Sequence, residues 1–144
     1  MRKVVVVDTN LFISALISNN SYIIRILTSP EYQFVSTNYV VVELFEHSPR
    51  IHKKSRLDHQ QMLEVLTILI SQVRLIDDGV VSVGSWIEAR RLTRDVDLDD
   101  IAFVALSLEF GAELWTRDRP LRTHLTSLGF SSFFEPPNDE DIRD

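Results

Sequence analysis

The feature that constrains this chain most is the run Val4-Val5-Val6-Val7, which ends directly in Asp8 in "KVVVVDTN". Four consecutive β-branched residues leave no wet face. Such a run fits a parallel strand covered by helices on both sides. It is too short for the apolar region of a signal peptide, although Arg2 and Lys3 precede it. The carboxylate that closes the run has three open roles: helix cap, turn residue or metal ligand.

Further short strands are expected at "QFVST", "VRLID" and "AELWT", with a last one at "SFFEP". Between them lie segments with helical apolar spacing. "NLFISALIS" and "SYIIRILTS" are separated by the polar "SNN". "NYVVVELFEH" follows Thr37, which reads as its N-cap. "LDHQQMLEVLTILISQV" and "SVGSWIEARRLT" come next. "LDDIAFVALSLEFGA" is closed by Gly111, and "RPLRTHLTSLGF" runs from Pro120 to Gly129. "SPRIHKKSR", residues 48–56, is basic and polar and reads as a loop.

Strands that alternate with helices imply an α/β fold. The expectation is three α/β/α layers around a central, mostly parallel sheet of about four to five strands. At 144 residues the chain suits one domain, expected over 1–135, with an acidic tail at 136–144 that frays. No stretch approaches the roughly 18 apolar residues that span a bilayer. The absence of cysteine removes disulfides, thiolate metal sites and a Cys nucleophile, and fits a reducing cytoplasm.

Two apolar strands end in acid. Asp8 closes the first, and Asp118 follows the strand in "WTRD". Ligands of open parallel sheets bind beyond the carboxyl ends of the strands, so both carboxylates belong at one edge. "DVDLDDIAF" adds Asp95, Asp97, Asp99 and Asp100 before a helix. Capping at Asp97 and the helix dipole account for one or two of them, and the remaining repulsion favours a nearby cation. Glu43 lies among apolar residues in "VVVELFEH", where a buried carboxylate needs a partner or a metal. An exposed position on an amphipathic helix would account for it equally well. Carboxylates without Cys or a spaced His pair suit hard cations such as Mg2+ or Mn2+ rather than zinc.

With these residues in place, the chain resembles the PIN domains, small α/β metal-dependent ribonucleases that include the VapC-type toxins of toxin–antitoxin pairs. "VVVVDTN", Glu43 in "VVVELFE", "DDIAFVALSLEFGAEL" and "WTRD" match the family's motifs in order and spacing. No one piece is specific, but the set in order is. The resemblance implies a catalytic quartet of Asp8, Glu43, Asp100 and Asp118. Asp8, Asp100 and Asp118 would hold Mg2+ or Mn2+, with Glu43 an outer ligand. Counting back from the glycine of "EFGA" selects Asp100, while Asp97 and Asp99 stay open as additional metal ligands. Asn10 and Thr116 would orient carboxylates or water, and local turn hydrogen bonds are an equal alternative for both. The implied activity is metal-dependent endoribonuclease cleavage by the toxin of a toxin–antitoxin pair. The implied partners are an RNA substrate, a cognate antitoxin and a second copy of the chain.

The net charge of −6 runs against charge-driven adhesion to RNA. Local cations therefore have to compensate, from "RIHKKSR" (Arg50, Lys53, Lys54 and Arg56) and from Arg90, Arg91, Arg94, Arg117, Arg119 and Arg122. Arg117, Arg119 and Arg122 flank Asp118 and are candidates to meet RNA phosphates, although balancing nearby acids is an equal role for them. The stretch 48–80 matches no motif and is a candidate specificity loop or partner surface. The four histidines show no ligand spacing. Trp86, Trp115, Phe133 and Phe134 read as packing residues. Two rivals stand beside the nuclease. One is a non-catalytic RNA- or protein-binding module of the same fold. The other is a phosphotransferase with Asp8 as nucleophile, disfavoured because Asn10 stands where such enzymes carry a second Asp.

Overall fold

The computed structural model describes residues 2–18, 21–96 and 100–137. The sheet has four parallel strands: β1 (Lys3–Val7), β2 (Tyr32–Thr37), β3 (Val73–Ile76) and β4 (Glu113–Trp115), in the order β3-β2-β1-β4. The eight α-helices of the described residues are α1 (Thr9–Ser18), α2 (Ser21–Leu27), α3 (Tyr39–Glu46), α4 (Ser48–Lys54), α5 (His59–Gln72), α6 (Val83–Thr93), α7 (Ile101–Phe110) and α8 (Arg119–Ser127).

The valine run explains the layering. Successive strand side chains point to opposite faces. Val5 and Val7 enter one core with Phe12, Leu16, Phe34, Leu69 and Trp115, while Val6 enters the other with Val35, Phe103, Leu106 and Leu114. Helices α1 to α5 cover the first face and α6 to α8 the second. Both cores meet on β1, so that strand has no wet side. The expected three-layer architecture is the observed one.

Local signals set several boundaries. Asp58 caps α5 in a reciprocal box with Gln61. Ser82 caps α6. Gly111 ends α7 at φ 58°, in the left-handed region where a Cβ is disfavoured. Among the described residues no helix is long and apolar enough to cross a membrane.

Three expectations are corrected. "SPRIHKKSR" is no loop: Ser48–Lys54 forms α4, with Pro49 in its first turn, where its missing N–H costs nothing, and with Ile51 buried. Thr37 is the last residue of β2 rather than a helix cap. Its hydroxyl accepts from the Tyr39 N–H at 3.0 Å, and Asn38 takes the N-cap position. "SFFEP" forms no strand of its own and contributes a single parallel bridge, Leu114 to Phe133. The N-cap of α7 is Asp100. Asp97 and Asp99, and the tail from 138 onward, lie outside the described residues.

Candidate functional site

The strand order reverses at β1. From β1 the chain moves outward to β2 and β3, then returns to place β4 on the other side of β1. That reversal opens a crevice at the carboxyl ends of β1 and β4, the usual ligand position in open α/β sheets. Asp8 leaves β1 there, and Asp118 lies just past the end of β4, separated from it by Thr116 and Arg117.

Asp8 is 3% exposed. Its Oδ1 accepts from the Asn10 N–H at 3.3 Å and its Oδ2 from the Thr116 hydroxyl at 2.8 Å. One oxygen therefore serves the start of α1 and the other is steered by β4. Burial pushes the Asp8 carboxyl above the ordinary carboxylate range. The hydrogen bonds from Thr116 and Asn10 oppose the rise, and the Asp118 charge adds to it. A buried acid with a second acid beside it favours a proton or a cation.

Asp118 is half-buried and caps α8, its Oδ1 accepting from the Leu121 N–H at 3.1 Å. Its own N–H donates to Thr116 Oγ1 at 3.2 Å. The Thr116 hydroxyl thus joins the two acids, donating to one and accepting from the backbone of the other. Glu43 is buried on α3, and its Oε1 accepts from the Thr9 hydroxyl at 3.0 Å. Thr9 follows Asp8 directly, so Glu43 is tied to the same strand end through a residue to which the sequence pattern assigned no role. The "DTN" triplet was the available signal.

Asp100 is buried at the start of α7 and makes no side-chain cap hydrogen bond, so its carboxylate does not serve the helix end. Among the described residues, no group of three His, Asp or Glu side chains is close enough to hold a metal ion. The described geometry brings Asp8 and Asp118 together directly and Glu43 through Thr9. Of the arginines beside Asp118, Arg117 and Arg119 are exposed. Arg122 is engaged, with Nη2 2.5 Å from Glu135 Oε1 and its guanidinium 4.5 Å from the centre of the Phe133 ring. Trp115 and Phe134 pack edge to face in the core, as expected of packing residues.

A second surface lies between α1, α3, α4 and α5. It is an apolar groove of about 430 Å3 whose lining includes Leu16, Leu44, Phe45, Met62, Leu63 and Leu66. Phe45, on its rim, is 75% exposed.

With this geometry in hand, the likeness to known proteins is direct. The sequence model of the PIN domain matches residues 6–129. The chain belongs to the PIN domain family. PIN domains are generally nucleases, and PIN nucleases typically use divalent metal ions. Two crystal structures share the PIN fold of this chain. VapBC2 from Rickettsia felis, bound to a DNA fragment from its promoter, aligns with a TM-score of 0.63 at 16% identity, over 83% of this chain and 92% of that one. PAE2754 from Pyrobaculum aerophilum aligns with a TM-score of 0.57 at 15% identity, over 88% and 86%. No curated protein matches the sequence.

Proposed function

We propose that this PIN domain is a metal-dependent endoribonuclease and the toxin of a toxin–antitoxin pair. The observation that carries the reading is the Asp8–Thr116–Asp118 arrangement at the β1/β4 crevice.

The donor set fits a hard divalent cation, Mg2+ or Mn2+. Mg2+ keeps several waters and takes only one or two protein carboxylates, so the pair Asp8 and Asp118 is sufficient. Burial raises the proton affinity of Asp8 and the Asp118 charge adds to it, and a bound cation would relieve both. When bound, the ion supplies Lewis acidity and positive charge against the scissile phosphodiester. Asp8 and Asp118 would hold it; Asp100 makes no three-acid group with them in the described geometry and stays, with Asp97 and Asp99, a candidate from the family resemblance alone. Thr116 and the Asn10 N–H fix the orientation of the Asp8 carboxylate. Glu43, steadied by Thr9, orders the attacking water. Hydrolysis leaves a 5′-phosphate and a 3′-hydroxyl.

The antitoxin partner is supported by the likeness to VapBC2, a toxin–antitoxin complex. Exposed apolar surface of the kind found around Phe45 is what protein partners cover. A homodimer and a cytoplasmic location belong to the same reading.

The test is cleavage of a total RNA pool by the wild type and by Asp118→Asn, each with Mn2+, Mg2+ or EDTA. Discrete wild-type cuts that vanish in EDTA and in the variant are expected. Cuts that persist in both would defeat the reading. A second reading, a non-catalytic binding module, is favoured by the lack of a three-acid group among the described residues. Cooperatively folded protein that binds RNA and cuts none would establish it.

A further inference from the structure

Helix α4 places two cations against the acid site. Arg50 and Lys54 are four residues apart and so share one helix face. They line a cleft of about 580 Å3 together with Asn10, Arg117 and Asp118. A second cleft of about 420 Å3 is lined by Tyr22, Thr116, Arg117 and Arg119. Arg117 belongs to both, so the clefts meet beside Asp118.

These cations are held in place without being neutralised. Ile51 buries the underside of α4, and the Ser55 hydroxyl donates to the Leu16 carbonyl at 2.7 Å, tying the end of α4 to α1. Among the described residues none of Arg50, Lys54, Arg117 and Arg119 forms an ion pair, whereas Lys3, Arg91 and Arg122 each do. Like charges at this helical spacing repel, and an anion between them relieves the repulsion. In a chain of net charge −6, attraction to phosphate has to be local.

We infer that Arg50 and Lys54 form a phosphate-binding track for single-stranded nucleic acid. The strand would run from the α4 cleft, past Asp118, into the cleft of Arg119. The inference rests on the nuclease reading for its substrate class and adds Arg50 and Lys54 to the Asp118-flanking arginines as residues that hold the strand. Arg122, held by Glu135, is left out of the track.

The test is binding of a fluorescent single-stranded oligoribonucleotide, read by anisotropy in EDTA across a range of NaCl, so that no cutting intervenes. Arg50→Ala/Lys54→Ala is compared with Arg74→Ala/Arg90→Ala, which removes the same charge outside both clefts. Each lost phosphate contact lowers the salt slope by about 0.7, so the α4 variant should lose about 1.4. Its affinity should fall at least about tenfold below the control, and Arg50→Lys should bind as the wild type does. Equal slopes and affinities for the two double variants would overturn the inference, as would wild type that fails to bind. Cleavage separates the two readings. Wild-type cutting at unchanged kcat/KM in the α4 variant would sink the track and leave the nuclease standing.

Discussion

The Thr116 hydroxyl donates to Asp8 Oδ2 at 2.8 Å and accepts from the Asp118 N–H at 3.2 Å, so one side chain sets the spacing of two acids carried by neighbouring strand ends. Thr116→Val keeps the shape and removes the hydroxyl. It leaves a buried acceptor on Asp8 without its partner, at a cost of about 1–3 kcal/mol. Denaturant unfolding should register that loss, and RNA cleavage should fall by at least about tenfold. Thr116→Ser should restore both. Cleavage that is unchanged in Thr116→Val would remove Thr116 from the site.

Asp8 makes the metal-free protein sensitive to pH. Its native pKa is raised, chiefly by burial, while the unfolded value is about 3.9. The native state therefore binds the proton more tightly than the unfolded chain does. The stability this contributes is fully present below about pH 3.9 and is lost as pH rises through the native pKa, at about 1.4 kcal/mol per pH unit between the two values. Asp8→Asn carries no titrating proton. In EDTA its melting temperature should depend less on pH across that window than the wild type's does. Parallel curves would contradict the raised pKa.

Divalent cation should reverse that instability. Mn2+ or Mg2+ at about 100 times its Kd should stabilise the fold by about 2.7 kcal/mol, seen as a higher melting temperature that EDTA abolishes. Asp118→Asn should lose most of the shift, because Asp118 carries the charge that faces Asp8. A wild-type melting temperature indifferent to millimolar metal would count against a formed site.

Ile51 should prove to be the anchor of α4. It is 3% exposed in the core under α1 and α5. Ile51→Ala should cost about 2–5 kcal/mol in urea unfolding. The same variant should weaken RNA binding in conditions where it stays folded, because Arg50 and Lys54 would no longer be held toward Asp118. Full binding by folded Ile51→Ala would separate α4 from substrate recognition.

Much of the fold was readable in the one-dimensional pattern. The valine run placed β1, Gly111 ended α7, and helical apolar spacing marked α5. These are local signals whose physics needs no distant partner. Residues 48–56 were misread because α4 is short and basic, and its stability comes from burying Ile51 against other helices rather than from its own propensities. Thr37 looked like a cap because a polar residue before an apolar run resembles one, whereas β2 runs on through it beside β3.

The acids divide in the same way. That Asp8 and Asp118 would reach one edge followed from two apolar strands ending in acid, since parallel strands share a direction. Side-chain contacts between residues far apart in sequence were decided by tertiary structure: Thr116 on Asp8 and Thr9 on Glu43. So was the cleft that Arg50 and Lys54 line together with Asp118. Sequence period records which face a residue takes on its own strand or helix. It does not record which element packs opposite, because strand order and helix docking are set by burial across the whole domain.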